Sequence, residues 1–139
     1  MARIVALILG VVLTGVAGLW AADSGTVEEP SEQPILVHAV MCESIEEQPP
    51  KNETIIFSVS ARDATCFTYF NPVPKNTLVY HNWYRQDRLS VKVKLRLRSP
   101  SWSTFSRHRI RASDKGPWRV EVTGEDGTIY AVLRFSITD

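Results

Sequence analysis

The sequence predicts an all-β fold: a single immunoglobulin-like antiparallel β-sandwich of seven to eight short strands, preceded by an N-terminal signal peptide or signal anchor. Three observations carry this. Apolar residues recur at every second position in several short runs, the period of strands with one buried face. Turn-forming clusters of Pro, Gly, Asn and Asp separate those runs. No segment sustains a helical period.

The chain begins with one cation, Arg3, and then runs from Ile4 to Ala22 without a charge, with small residues gathered at the end. That order of a basic start, an apolar run and small residues is the pattern of an export signal, or of an uncleaved anchor of about 20 apolar residues. Residues 1–22 are therefore read as signal or anchor, and 23–34, acidic and holding Pro, Ser and Gly, as a flexible linker. Residues 35–139 are the domain, large enough for one modest core.

Within it, 35–42 is apolar and β-branched and predicts a first strand. Glu43 to Glu53 is polar and holds Pro49-Pro50, so it predicts a loop. Strands follow at 54–60 and 65–70; in the latter Cys66, Thr68 and Phe70 face one way, Phe67 and Tyr69 the other. Both faces are apolar enough for a central strand. Pro72 and Pro74 end it, and 77–84 is the next strand. Leu89 to Arg98 alternates most purely, with Val91, Val93, Leu95 and Leu97 inward and Lys92, Lys94, Arg96 and Arg98 outward. Residues 102–110 are read as extended. A terminal hairpin closes the chain: Trp118, Val120 and Val122 share one face, Asp126-Gly127 supplies the turn, and Ile129 to Ile137 alternates again.

Lys and Arg number 16 and Asp and Glu 15, a net charge of +1, so no global charge draws the chain to nucleic acid. Charge is instead segregated. Asp23, Glu28, Glu29, Glu32, Glu43, Glu46, Glu47 and Glu53 all precede Thr54, whereas Lys92, Lys94, Arg96, Arg98, Arg107 and Arg109 lie in the second half. Those six are the candidate ligand-binding residues, since arginine and lysine on one face suit phosphate and carboxylate. The competing readings are a solvated strand face, cations guarding a sheet edge, or cations covered by the acidic N-terminal segment. His81, Trp83, Trp102 and Trp118 form a candidate aromatic cluster, read first as core and second, with Tyr84, as a carbohydrate-stacking platform. Cys42 and Cys66 are read as one disulfide, which would add about 3 kcal/mol by restricting the unfolded chain; two buried free thiols are the competing reading. His38, His81 and His108 are scattered, and no nucleophile elbow accompanies them, so no metal site, cofactor or catalytic residue is assigned.

Several motifs stand in order along the chain: Glu43-Ser44-Ile45 with Pro49-Pro50, Cys66-Phe67-Thr68, Tyr80-His81-Asn82-Trp83-Tyr84, Trp102-Ser103-Thr104-Phe105-Ser106, Gly116-Pro117-Trp118-Arg119-Val120-Glu121-Val122, Asp126-Gly127 and Leu133-Arg134-Phe135. Over Val37 to Ile137 the chain resembles the bacterial domain of unknown function 2914 family. Ser101 departs from it, where similar domains often place Arg before the Trp. The resemblance implies an exported or membrane-attached bacterial β-domain and no activity. The expectation is a non-enzymatic binding module, periplasmic or extracellular, or anchored in the inner membrane with the domain in the periplasm. Its partner would be an envelope protein or an anionic envelope component, with no nucleic acid, and it would associate with a membrane only through an uncleaved N-terminal segment.

Overall fold

The computed structural model describes residues 25, 29, 32–46 and 49–139. The signal or anchor read at residues 1–22 lies outside the described residues, as does most of the linker read at 23–34. Among the described residues no helix is long and apolar enough to cross a membrane.

The described residues form nine strands: β1 (Leu36–Ser44), β2 (Lys51–Glu53), β3 (Ile56–Ser58), β4 (Asp63–Phe70), β5 (Thr77–Arg85), β6 (Arg88–Leu97), β7 (Trp102–Arg109), β8 (Gly116–Gly124) and β9 (Ile129–Thr138). A single 3₁₀ turn at Ala112–Asp114 joins β7 to β8. One sheet has the order β2-β1-β4-β7, the other β3-β9-β8-β5-β6. The alternating runs read from the sequence all appear as strands. Two features were not legible there. Lys51–Glu53, read as loop, pairs with β1. The run 54–60 shrinks to three residues, and β3 runs parallel to β9, so the sandwich is not wholly antiparallel. Hydroxyls explain the shortening. Thr54 Oγ1 accepts the Ile56 N–H and Ser58 Oγ accepts the Ser60 N–H, local bonds that compete with a longer ladder.

The core lies between the sheets. β4 contributes Ala64, Cys66 and Phe70; β5 contributes Val79 and Trp83; β8 and β9 contribute Trp118, Val120, Val122, Phe135 and Ile137. β4 is central in its sheet, as its two apolar faces imply. The β5–β6 connection is a two-residue turn in which Gln86 (φ 45°) and Asp87 (φ 64°) both take positive φ, the type I′ pattern that suits strand twist. In the β8–β9 turn Gly127 has φ 86°, and Asp126 Oδ1 accepts the Thr128 N–H.

Register decides the cysteines. Met41 pairs with Cys66, and Cys42 pairs with Thr65. Paired residues in a ladder point to the same side, so Cys66 joins the core with Met41 while Cys42 points to the opposite face of the sheet. The expected disulfide is thereby corrected: both are buried free thiols.

Candidate functional site

β6 ends its sheet, and its partner is β5. Arg96, Lys94 and Lys92 sit opposite Leu78, Tyr80 and Asn82 on the outward face. All three cations are exposed. Two-residue steps along a strand place them roughly 7 Å apart in a line. Lys92 Nζ lies 4.4 Å from the Tyr80 ring centroid. Among the described residues, no carboxylate comes within ion-pair distance of Lys92, Lys94 or Arg96.

Arg119, on the same outward face, is a contrasting case. Its Nε donates to Glu121 Oε1 at 3.1 Å, its Nη1 bonds Asp87, and its guanidinium lies 4.1 Å from the Tyr84 ring centroid. Glu121 first, then Asp87, hold its proton more firmly than an ordinary arginine, against an opposing effect of burial. Its charge is already matched within the fold. Lys75 pairs with Glu32, Lys51 with Glu46, Lys115 with Asp139, and Arg85 and Arg111 with Asp114.

The six candidate cations do not form one face. Arg98 lies beyond β6, its guanidinium 5.5 Å from the Trp102 ring centroid. Arg107 and Arg109 pair with Thr65 and Asp63 on β4. Their neighbour Ser106 points into the core, so alternation turns both arginines to the outer face of the other sheet. Arg107 there lines a cavity of about 450 Å³ together with Glu43, Glu46, Arg62 and Asp63. Lys92, Lys94 and Arg96 form the one row of three, and Arg107 and Arg109 a separate pair on the other sheet.

The inward register of β6 is also graded. Leu97 is buried, Val93 and Leu95 are half-buried, and Val91 is 42% exposed. The strand leaves the shelter of the opposite sheet towards its start, so Val91 does not complete the core as its alternation suggests.

The aromatic cluster is core for three of its four members. His81 and Trp83 are fully buried, and Trp118 nearly so. His81 Nδ1 is 2.7 Å from Ser106 Oγ, and its Nε2 is 3.2 Å from Thr68 Oγ1. The Trp83 indole N–H donates to the same Ser106 Oγ at 2.9 Å. These bonds tie β5 to β4 and β7 of the facing sheet. Burial pushes the His81 imidazole down to about 4, so it is neutral at ordinary pH. A serine beside a histidine is also the geometry of an activated nucleophile, but this hydroxyl is enclosed and already accepts an indole N–H. Trp118 stacks on Phe135 with centroids 6.2 Å apart, and its N–H donates to the Asp114 carbonyl. Trp102 is the exception. It stands at the start of β7, 37% exposed.

A second polar centre was not legible in the sequence. Asp114 is buried and accepts the Arg111 N–H at 2.8 Å, with His108 Nε2 at 3.0 Å from the same oxygen. The His108 ring packs 4.9 Å from Trp118 and 6.0 Å from Trp83. Burial pushes the Asp114 carboxyl up, yet the Arg111 N–H, the His108 bond and the nearby charges outweigh it and hold the group below the ordinary carboxylate value. The short spacing from His108 to Asp114 across a turn was the available signal. Among the described residues no three His, Cys, Asp or Glu side chains gather as a metal site.

Residues 76–137 match the family model described as "Protein of unknown function (DUF2914)". The match spans β5 to β9, and so contains the cation row and Trp83 and Trp118. It bears out the resemblance over that stretch, while β1 to β4 fall outside it. No curated protein matches the chain.

Proposed function

Taking the stretch 76–137 as a member of this family of unknown function, we propose that the chain is a non-enzymatic binding module of the bacterial envelope, whose anionic ligand docks on the outward face of β6. One observation carries the reading. Several of the domain's cations already have carboxylate partners, whereas Lys92, Lys94 and Arg96 stand exposed in a row with none among the described residues. Aligned, unmatched charge raises the local concentration of an anion and speeds its encounter. An immunoglobulin-like arrangement is supported by the order β1-β4-β7 facing β9-β8-β5-β6, by β3 parallel to β9, and by Trp83 buried on β5. A periplasmic or extracellular location, or an anchored form with the domain in the periplasm, follows from the apolar run at Ile4–Ala22.

Carbohydrate binding through exposed aromatics is the weaker reading. Trp83 is enclosed, and the rings of Trp102 and Tyr84 are faced by Arg98 and Arg119. The test compares the wild type with a variant carrying Lys92→Ser, Lys94→Ser, Arg96→Ser and Arg98→Ser. Binding to beads bearing acidic polysaccharide and to vesicles of anionic phospholipid is measured for both. Wild type should bind at least one surface and the variant should lose that binding while melting at the same temperature. Equal binding by both proteins removes the β6 face from the account.

A further inference from the structure

We infer that the ligand of this face is a linear acidic polysaccharide, laid along β6 so that successive anionic groups meet Arg96, Lys94 and Lys92; this rests on the reading above. Strand geometry is the first argument. Three charges held at two-residue steps make a straight row of about 14 Å. A single small anion uses one of them, whereas a chain with recurring anionic groups engages all three. Each added contact then becomes an intramolecular event, so affinity grows with chain length.

The neighbours on β5 and β8 supply the second argument. Tyr80 pairs with Lys94 on one side and Thr123 on the other, and Tyr84 pairs with Arg119. The Tyr80 hydroxyl therefore borders the cation row, with those of Thr123 one strand further and Tyr84 past its end, suited to a hydroxyl-rich polymer. The ring faces themselves are engaged: Lys92 lies over Tyr80 and Arg119 over Tyr84. Stacking of nucleobases or neutral sugars needs an open aromatic face, so those ligands gain little here. The Lys92–Tyr80 contact also holds the ammonium in place before binding, which lowers the ordering cost that a free lysine would incur.

A membrane surface fits less well. Adsorption to a bilayer gains from apolar side chains beside the cations, and three cations alone supply about 1 kcal/mol each at an anionic surface. The exposed apolar groups of this sheet face stand apart from the row: Leu89 lies near the start of β6, opposite Tyr84, Ile129 and Val132 lie on β9, opposite Thr123 and Glu121, and Ile56 lies on β3 beyond them, while Leu78, across from Arg96, is half-buried. No apolar side chain interrupts the row from Lys92 to Arg96 on its own side.

The experiment is isothermal titration of the full chain with a size ladder of oligogalacturonides, from the monomer upward. Neutral cello-oligosaccharides and phosphatidylglycerol vesicles are run beside them. Affinity should rise at least about tenfold from dimer to a chain long enough to span the row, then level off. Lys94→Ser, at the centre of the row, should weaken long chains more than the dimer. Neutral oligomers should not bind. Equal affinity for monomer and long chains, or preference for the vesicles, overturns the polysaccharide inference and leaves an anion-binding face. Failure to bind any of these anions overturns both.

Discussion

Acidification from pH 7 to about pH 4.5 should cost the folded domain about 2 kcal/mol through His81 alone. The imidazole is fully enclosed, with Ser106 on one nitrogen and Thr68 on the other. Burial lowers it from 6.5 to about 4. In the unfolded chain it is solvated and takes a proton near 6.5. Between those values the unfolded state binds more protons than the folded one, so stability rises with pH. The contribution is fully present above the unfolded value and is lost as the pH falls towards the folded value. The separation of 6.5 from about 4 corresponds to a limit of about 3 kcal/mol, most of it lost by pH 4.5. Urea denaturation at a series of pH values gives the slope directly. His81→Gln supplies the control, since an amide can still bond Ser106 and Thr68 but does not titrate. The variant should be less stable at neutral pH and flatter across this window. If the wild type shows no slope, or the variant keeps the whole of it, His81 is not enclosed as described.

Other perturbations separate scaffold from surface. Trp118→Ala should lower stability by about 3–5 kcal/mol, measured by chemical denaturation, because it removes a buried indole stacked on Phe135. Asp114→Asn should cost about 1–3 kcal/mol, because the buried bonds from His108 and the Arg111 N–H lose their charged acceptor. The two thiols should resist a thiol-reactive probe in the native protein at neutral pH, and a reductant should leave Tm unchanged. Burial, then Glu53, pushes the Cys42 thiol up to about 11, and burial first also raises Cys66, so little thiolate forms. Lys94→Ser should change stability by less than about 0.5 kcal/mol, as an exposed substitution outside the core does.

Local chemistry made the strands readable, and neighbours in space decided the rest. The alternation of Leu89 to Arg98 announces β6, but only sheet order makes it an edge and leaves Val91 uncovered. Trp83 and Trp102 look alike in sequence. One sits on β5 between two strands of its sheet, the other at the start of edge strand β7, and that position determines which is enclosed. β2 carries no apolar alternation, and among the described residues its one strand partner is β1, so no pattern in Lys51–Glu53 could reveal it. The cysteines differ from a bonded pair by one step of register, a quantity that spacing along the chain does not contain. The same holds for the cations: Arg107 and Arg109 resemble Lys92 and Lys94 in composition but belong to the other sheet. The link between His108 and Asp114 depends on how the 3₁₀ turn folds back beneath Trp118.

The account turns on the charges of β6 acting as a row. The most direct measurement is the salt dependence of binding to a carboxylated polysaccharide, for wild type and for the variant with Lys92→Ser, Lys94→Ser and Arg96→Ser. Wild-type affinity should fall steeply as ionic strength rises, because exposed charges are screened over about 10 Å at 0.1 M salt. The variant should bind weakly with a much shallower dependence and an unchanged Tm. Matching affinities and matching salt slopes in the two proteins would contradict the central claim.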